Sequence, residues 1–378
     1  MKLVTDIDIS NKKVILRCDL NVTIKDGAII NDEKIIASLK TIKYLIENNS
    51  KIIIMSHLGR IKTEEDKKEN SLRLVYERLN EVLDVNILFC EDTRGLKLEE
   101  MIQNLNPGEI LLMENTRYED VDGNKESSND EELSKYWASL GEVFINDAFG
   151  MTHRKHVSTN GIAKHLPSAV GFLIQKELEG LELVIKPKKP FVVVMGGAKV
   201  GDKINLIESI LKKCDYLLLG GGIANTFLAI NHEVGKSLVS EDSLEAVKKL
   251  LNEHSEKIIM PIDVVVESGL KSLDEITTND AIYDIGDYSL LEYQKYINQA
   301  NTIFINGTVG LYENEAYANG TKRILQMCTE SEGKVVLGGG DALASAQRFN
   351  ITDYDHISTG GGATLDYIGS GKLNCLED

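Results

Sequence analysis

The stretch FVVVMGGAKVGDKINLIESILKK (191–213) joins an apolar run, a glycine turn and a segment of helical period. The apolar run lacks a two-residue alternation, which is typical of a parallel strand covered by helices on both faces. Helical spacing of apolar residues recurs at 35–48 and 72–83. Because such runs and helical segments alternate along the chain, the sequence predicts βαβ units and parallel sheets.

The length of 378 residues exceeds what one hydrophobic core usually serves. We therefore expect two doubly wound α/β domains, at 1–167 and 188–359. The run SAVGFLIQKELEGLELVI (168–185) is predicted to form one helix, so 168–187 is assigned to an interdomain hinge. The polar stretch DVDGNKESSNDEEL (120–133) predicts a solvated loop.

Composition and charge exclude several classes of function. No apolar stretch approaches membrane-spanning length, and the first ten residues lack a signal-peptide core, so we expect a cytoplasmic protein. The five cysteines are scattered without metal-ligand spacing, which predicts core or neutral roles. The net charge of −17 argues against general affinity for nucleic acid or anionic membranes.

The ends of the predicted strands differ between the two halves. In the first half the runs end in polar residues, as in VILRCDLN (14–21) and KIIIMSHLGR (51–60), whereas KVVLGGGD (334–341) in the second half ends in glycine. Ligands of open α/β sheets bind at the carboxyl ends of strands. The sequence therefore predicts two anion sites, one built from side chains and one from backbone.

Arginine placement favours the first half as the site of a small anionic substrate. Seven of the nine arginines precede residue 155, and the guanidinium suits forked recognition of phosphate and carboxylate. A single arginine is more often a solvated surface charge, but a shared position after strands favours a site. The residues that could converge are His57, Arg60, Arg117, His153, Arg154 and His156.

Glycine turns of the second half suggest a phosphate site. Lys199 follows one turn and a helix beginning near Asp202 would place Lys203 in its first turn, where backbone amides favour phosphate. A plain strand-to-helix turn is the alternative. Asp341 after GGG could hold Mg²⁺ of a nucleotide or serve as a simple N-cap. VGKSL (234–238) lacks the earlier glycine of a P-loop, and no clean dinucleotide fingerprint is present.

The motifs together resemble the phosphoglycerate kinase family along nearly the entire chain. SHLGR, NDAFGMTHR and GGAKVGDKI are the most specific, and RCDLN, MENTRY, LGGGIANTF, NGTVGLYE, LGGGD and STGGGA follow the family's order. The resemblance implies two Rossmann-like doubly wound domains joined by a hinge helix, with 360–378 returning to the N-terminal domain. It also implies that substrate and nucleotide bind in a cleft that must close for transfer.

The resemblance assigns roles to individual residues. Lys34, Lys199 and Gly361 would be catalytic, with Lys199 at the transferring phosphoryl. Glu313 would contact the ribose and Asp341 the Mg²⁺. The phosphoglycerate site would comprise Asp19, Asn21, His57, Arg60, Arg117 and Arg154; the nucleotide site would comprise Gly197, Lys203, Gly220, Gly221, Asn306, Glu313, Gly338, Gly339, Gly340, Asp341 and Ala342.

The implied reaction is phosphoryl transfer between 1,3-bisphosphoglycerate with ADP and 3-phosphoglycerate with ATP, with Mg²⁺ and no covalent enzyme intermediate. A cytoplasmic monomer without nucleic-acid or membrane partners is expected. Lys34 stands where the family has a catalytic arginine, and Ala342, Thr308 and Asp287 also depart from the family pattern. An active kinase and a weakly active or inactive metabolite-binding relative therefore both stand as hypotheses.

Overall fold

The computed structural model describes residues 1–373 and residue 375, with the backbone alone at Asp202. Contacts divide the chain into two compact units. Met1–Leu178 forms the first unit together with Leu373 and Cys375, and Glu179–Lys372 forms the second. The division falls within the segment expected to act as a hinge, and the boundaries drawn from the sequence stay a prediction.

The first unit is a parallel sheet with helices on both faces. Its strands are β1 (Lys13–Cys18), β2 (Thr23–Lys25), β3 (Ala28–Asn31), β4 (Lys51–Met55), β5 (Ile87–Cys90), β6 (Ile110–Met113), β7 (Val143–Asp147) and β8 (Ser168–Val170). Its helices are α1 (Glu33–Glu47), α2 (Glu64–Glu69), α3 (Arg73–Val82), α4 (Leu96–Gln103), α5 (Glu131–Ser139) and α6 (Phe172–Ile185), which continues into the second unit.

Six of these strands form the sheet in the order β5-β6-β4-β1-β7-β8, with every pair parallel. β2 and β3 form a separate hairpin. Along β1, Val14 and Leu16 pack into one hydrophobic cluster, while Ile15 joins a second cluster with Trp137. Both faces of the sheet are thus covered, which explains why the strand is apolar at consecutive positions.

The second unit repeats this design. Its strands are β9 (Phe191–Met195), β10 (Tyr216–Leu219), β11 (Ile258–Ile259), β12 (Asp263–Val266), β13 (Gly269–Ser272), β14 (Asp284–Ile285), β15 (Thr302–Asn306), β16 (Lys334–Gly338) and β17 (His356–Ser358). Its helices are α7 (Ile204–Leu211), α8 (Gly221–Leu228), α9 (Leu244–His254), α10 (Asp287–Asn298), α11 (Asn319–Thr329), α12 (Gly340–Arg348) and α13 (Gly362–Ser370). A parallel sheet has the order β11-β10-β9-β15-β16-β17, and β13-β12-β14 form a small antiparallel sheet.

The prediction of a single helix over 168–185 is wrong at its start. Ser168–Val170 is strand β8, which pairs in parallel with β7. Gly171 then lies so close to Asp147 that a Cβ would come within 2.3 Å of the carboxyl carbon. Asp147 accepts hydrogen bonds from the backbone amides of Leu173 and Ile174 and so caps the N-terminus of α6.

The prediction of a solvated loop at 120–133 is also wrong in part. Glu126 is fully buried and Asp120 is 7% exposed. The backbone amide of Val157 donates to the Glu126 carbonyl, and the side-chain amide of Asn129 donates to the Asn160 side chain. These hydrogen bonds hold the loop against the 157–161 segment. The burial of this loop is therefore determined by tertiary contacts, which cannot be predicted from the polarity of its sequence.

The α/β class with two doubly wound parallel-sheet domains is confirmed. All five cysteines are free and buried, in agreement with core or neutral roles. In the described part of the chain, no helix is long and apolar enough to cross a membrane.

Candidate functional site

Polar side chains of the first unit meet at the carboxyl edge of its sheet. Asp19 follows β1, His57 follows β4, Arg117 follows β6 and Arg154 follows β7. Because β1 lies between β4 and β7 and all are parallel, these residues emerge along the same edge. The topology therefore brings together residues that are far apart in sequence.

Lys34 joins this edge from the first turn of α1. Its ammonium lies 2.9 Å from the Asp19 carboxylate, and its side chain is 37% exposed. Asn21 accepts a hydrogen bond from the Gly59 amide at 2.9 Å, which ties the loop after β1 to the loop after β4. Asp19, Asn21 and Lys34 thus lie close together, while the roles that the resemblance assigns to them stay a prediction.

His57 contacts a residue that the sequence analysis did not select. Arg17 is fully buried at the end of β1 and lies with its Nη2 3.1 Å from Nδ1 of His57. An arginine can only donate, so Nδ1 must accept and the proton of the neutral ring is on Nε2. Burial, together with the charge of Arg17, lowers the pKa of His57 well below its ordinary value, so the ring is neutral at physiological pH.

The remaining arginines differ in burial. Arg117 is half-buried and donates to the Gly59 carbonyl at 3.1 Å, and burial followed by the nearby Arg154 charge lowers its pKa. Arg154 is exposed and donates to the ring of His153 at 2.9 Å, and Arg60 is exposed. Within residues 1–373 and 375, none of these three arginines forms an ion pair. Their charges are therefore available to an anionic ligand.

The second unit has a cavity of about 580 Å³ at its strand ends. Its lining includes the glycines Gly197, Gly221, Gly222 and Gly310 and the carboxylates Asp284, Glu313 and Asp341. The glycines are held by neighbouring loops: the amide of Gly197 donates to the Thr308 carbonyl at 2.9 Å. The amide of Gly221 donates to the Val309 carbonyl at 2.8 Å.

Close backbone approach explains the glycines. A Cβ on Gly220 would lie 2.3 Å from the Val309 side chain, and one on Gly222 would lie 2.2 Å from the Ala198 carbonyl oxygen. Gly339 has φ +96° and forms the N-cap of α12. That helix has no side-chain cap, so the alternative in which Asp341 is a simple N-cap does not hold.

The lysines of this unit occupy different positions. Lys203 donates to the Gly196 carbonyl at 2.9 Å, but it lies at the end of a 3₁₀ turn, because α7 begins only at Ile204. Lys199 is exposed in the preceding turn. Asn306 donates to the Gly338 carbonyl at 2.9 Å, while its buried Oδ1 has no protein partner among the described residues.

Ala342 is fully buried in α12, and Gly361 precedes α13 with φ +53° and open space beside its Cα. Asp287 is the first residue of α10. Nothing in the structure explains why alanine rather than another small residue stands at 342.

A Mg²⁺ ion fits Asp341 only together with phosphate oxygens. In the described part of the chain, no three His, Cys, Asp or Glu side chains form a metal-binding group. Mg²⁺ in nucleotide sites is commonly bound by one or two carboxylates together with the phosphates. The exposed Asp341 on the cavity wall supplies one such carboxylate.

The sequence analysis missed three residues beneath the first site: Arg17, Glu126 and Ser158. Arg17 carried a signal, because a charged residue interrupts the apolar run VILRCDLN. Glu126 and Ser158 lie in polar stretches that give no indication of burial.

Comparison with known proteins identifies the family of this chain. The model of the family "Phosphoglycerate kinase" matches residues 4–372. Phosphoglycerate kinases of Fusobacterium nucleatum and Macrococcus caseolyticus are each 46% identical to this chain, covering 98% of it and 97% of their own length.

The solved structures that are similar to this chain are also phosphoglycerate kinases. The phosphoglycerate kinase of Coxiella burnetii has a TM-score of 0.88 and 35% identity, covering 99% of this chain and 97% of its own. That of Pyrococcus horikoshii OT3 has a TM-score of 0.85 and 33% identity, covering 100% and 98%. This chain belongs to the phosphoglycerate kinase family.

Proposed function

We propose that this protein is a working phosphoglycerate kinase that transfers a phosphoryl group between ATP and 3-phosphoglycerate, reversibly. As a family member it is a phosphotransferase with a carboxyl group as acceptor. The observation that carries the proposal is the difference between the two strand edges. One edge carries Arg60, Arg117 and Arg154, which form no ion pair among the described residues, and the other borders a cavity whose wall includes glycines and carboxylates.

The first unit would bind phosphoglycerate. Arg60, Arg117 and Arg154 would hold its phosphate and carboxylate through charge-assisted hydrogen bonds, while His57 would donate from Nε2. Asp19 and Asn21 provide acceptors for the substrate hydroxyl. Lys34 would supply positive charge where the carboxylate of 3-phosphoglycerate must approach the γ-phosphate of ATP.

The second unit would bind ATP or ADP in its cavity. Gly220 and Gly221 would let the adenine approach the backbone closely, and Glu313 would accept from the ribose hydroxyls. Lys203, Asn306 and the amides of Gly338–Gly340 would contact the phosphates. Mg²⁺ held by Asp341 would neutralise phosphate charge.

The chemistry is a direct displacement. A carboxylate oxygen of 3-phosphoglycerate attacks the γ-phosphorus of ATP, the bond to the bridging oxygen breaks and ADP leaves. Lys199, Lys34 and the backbone at Gly361 would stabilise the charge on the transferring group. The two substrates must meet for this step, and closure about the hinge segment stays a prediction, as do the monomeric state and the cytoplasmic location.

The weakly active binding protein is the second candidate, motivated by lysine at position 34. The comparisons do not favour it, because the family match covers residues 4–372 and curated relatives at 46% identity are phosphoglycerate kinases. Lysine retains the positive charge but lacks the planar fork of arginine.

A coupled assay of ATP-dependent 3-phosphoglycerate phosphorylation tests the proposal. We expect Mg²⁺-dependent turnover by the natural protein, near-complete loss with Lys199→Ala and no loss with Lys212→Ala, an exposed lysine just after α7. A natural protein that binds both ligands without turnover, and that gains activity through Lys34→Arg, would favour the binding protein instead.

A further inference from the structure

Arg17 is a buried cation whose direct partners are all uncharged. Its Nε donates to Ser158 Oγ at 2.8 Å, one Nη donates to the Cys18 carbonyl, and the other lies 3.1 Å from His57 Nδ1. Ser56 Oγ lies at 3.5 Å. Burying a guanidinium without a compensating charge is costly, so its neutralisation must come from the next layer of residues.

Glu126 supplies the larger part of that charge, through Ser158, and Asp19 supplies the next largest part. The hydroxyl of Ser158 donates to one oxygen of the carboxylate at 2.5 Å, and its backbone amide donates to the other at 3.0 Å. Since the single hydroxyl proton goes to Glu126, the lone pairs of Ser158 Oγ are directed to Arg17. Glu126, Ser158 and Arg17 therefore form a directed chain of hydrogen bonds that ends at His57.

The position of Arg17, which this chain of hydrogen bonds holds, fixes the tautomer of His57. Arg17 occupies Nδ1 as a donor, so the ring can offer a ligand only its Nε2–H. In the described part of the chain, no protein group bonds to Nε2. Loss of the anchor at Ser158 would free Arg17 to move, and the ring could then adopt the other tautomer.

Several other charges surround this group. Arg117, Lys34 and His156 face His57, and Asp120 and His156 lie near Glu126. Burial raises the pKa of Glu126, against which the Arg17 charge and the Ser158 hydrogen bonds act. A neutral glutamine at 126 would leave the cationic side chains of this region with less negative charge nearby.

We propose that Glu126 is a positioning residue of the phosphoglycerate site, acting through Ser158 and Arg17 to hold His57 with Nε2–H as a donor to a substrate oxygen. This inference rests on the proposed function, since the ligand of the site is phosphoglycerate. Glu126 itself contacts no ligand atom in this scheme. Its effect is on the orientation and tautomer of a residue that does.

The first test is the ¹⁵N NMR spectrum of protein labelled at histidine, with the His57 signal assigned by its loss in His57→Gln. We expect the natural protein to show a neutral His57 at pH 7 to 8, with Nδ1 unprotonated and Nε2 protonated. A neutral His57 protonated on Nδ1 in the natural protein would overturn the proposal, whatever the Glu126 and Ser158 variants show.

The second test compares Glu126→Gln and Ser158→Ala with Ser50→Ala. Ser50 is also a buried serine of the first unit, but it precedes β4 at the opposite end from His57 and donates to the Ile9 carbonyl. We expect Glu126→Gln and Ser158→Ala to raise the KM for 3-phosphoglycerate about tenfold, leave the KM for ATP unchanged and give mixed His57 tautomers. Ser50→Ala should change neither kinetics nor tautomer.

Fluorescence of the buried Trp137, the single tryptophan of the chain, reports whether each variant is folded. A folded Glu126→Gln with an unchanged His57 tautomer and a KM for 3-phosphoglycerate within twofold of the natural value would overturn the positioning role. If the natural protein lacked kinase activity, the proposed function would fail, while the tautomer measurement would still decide whether Glu126 orients His57.

Discussion

The ammonium of Lys34 lies 2.9 Å from the carboxylate of Asp19, which links the first turn of α1 to the loop after β1. More than a third of the Lys34 side chain is exposed, and such an ion pair contributes about 1 kcal/mol or less. An anionic oxygen of a ligand can therefore replace Asp19 at little cost. The pair holds Lys34 at the site before ligand arrives.

Removing the Lys34 charge should slow turnover more than it weakens binding. We expect Lys34→Ala to lower kcat by about 10²–10³, the effect of losing one contact made to transition-state charge. Lys34→Arg should match or exceed the natural rate because it restores a forked donor. Steady-state kinetics measure both, with Lys40→Ala as control, an exposed lysine on the same helix. Equal losses in Lys34→Ala and Lys40→Ala would contradict a specific role.

His156 should make the first unit sensitive to acid. Burial, with the charge of Arg117 next in effect, lowers the pKa of His156 to about 3, below its ordinary 6.5. The unfolded chain therefore binds the extra proton first, and stability falls as pH drops from 6.5 towards 3. Well inside this window, each unit of falling pH lowers the free energy of unfolding by about 1.4 kcal/mol.

Between pH 6.5 and 5.5, we expect the free energy of unfolding of His156→Gln to fall by about 1 kcal/mol less than that of the natural protein. Urea unfolding followed by Trp137 fluorescence measures this in the first unit. His254→Gln in α9 of the second unit should leave the Trp137 transition unchanged. Parallel pH dependences of the His156→Gln and natural proteins would refute the prediction.

Asp284 should make the second unit less stable as the pH rises, the opposite of the effect of His156 on the first unit. It accepts from the amides of Gly320 and Ile285, and burial raises its pKa from 3.8 to about 7. The folded state keeps its proton while the unfolded state loses it, so stability falls as pH rises from about 4 to 7 and then levels. The carboxylate fixes the start of α11 and lies against Gly310 of the cavity wall.

Hydrogen exchange of residues 319–329 tests this effect. Relative to Asp284→Asn, the natural protein should lose protection between pH 5 and 7, by up to about 1.4 kcal/mol per pH unit. Exchange of α9 in the same samples provides the internal control. A constant difference between the two proteins across this range would show that Asp284 does not titrate there.

Gly222 and Gly340 should respond differently to the same added methyl group. A Cβ at Gly222 would overlap the Ala198 carbonyl, whereas nothing lies within 4 Å of one at Gly340. We expect Gly222→Ala to weaken Mg-ADP binding at least tenfold by displacing the 196–199 turn, and Gly340→Ala to change it less than twofold. Calorimetric titration measures both. Similar affinities would mean that close approach at Gly222 is not needed.

The sequence predicted the features that follow from local pattern. Consecutive apolar residues in β1 and β9 indicated covered parallel strands, and this in turn placed Asp19, His57 and Arg117 at one edge. The same patterns could not predict Glu126, whose burial depends on hydrogen bonds to Val157 and Ser158 about thirty residues away. Ser168–Val170 was taken as helix because three residues are too short for a strand signal, and only pairing with β7 defines them.

Leu373 and Cys375 group with the first unit, where the Cys375 amide donates to the Thr152 carbonyl and Asn146 lies 3.7 Å from its thiol. A ribosome therefore delivers the whole of the second unit before the first has received all its contacts. The contacts of Leu373 and Cys375 can form in the first unit only after the nearly two hundred residues of the second unit have been synthesised. The order in which this protein matures during translation is thus not the order in which its units are encoded.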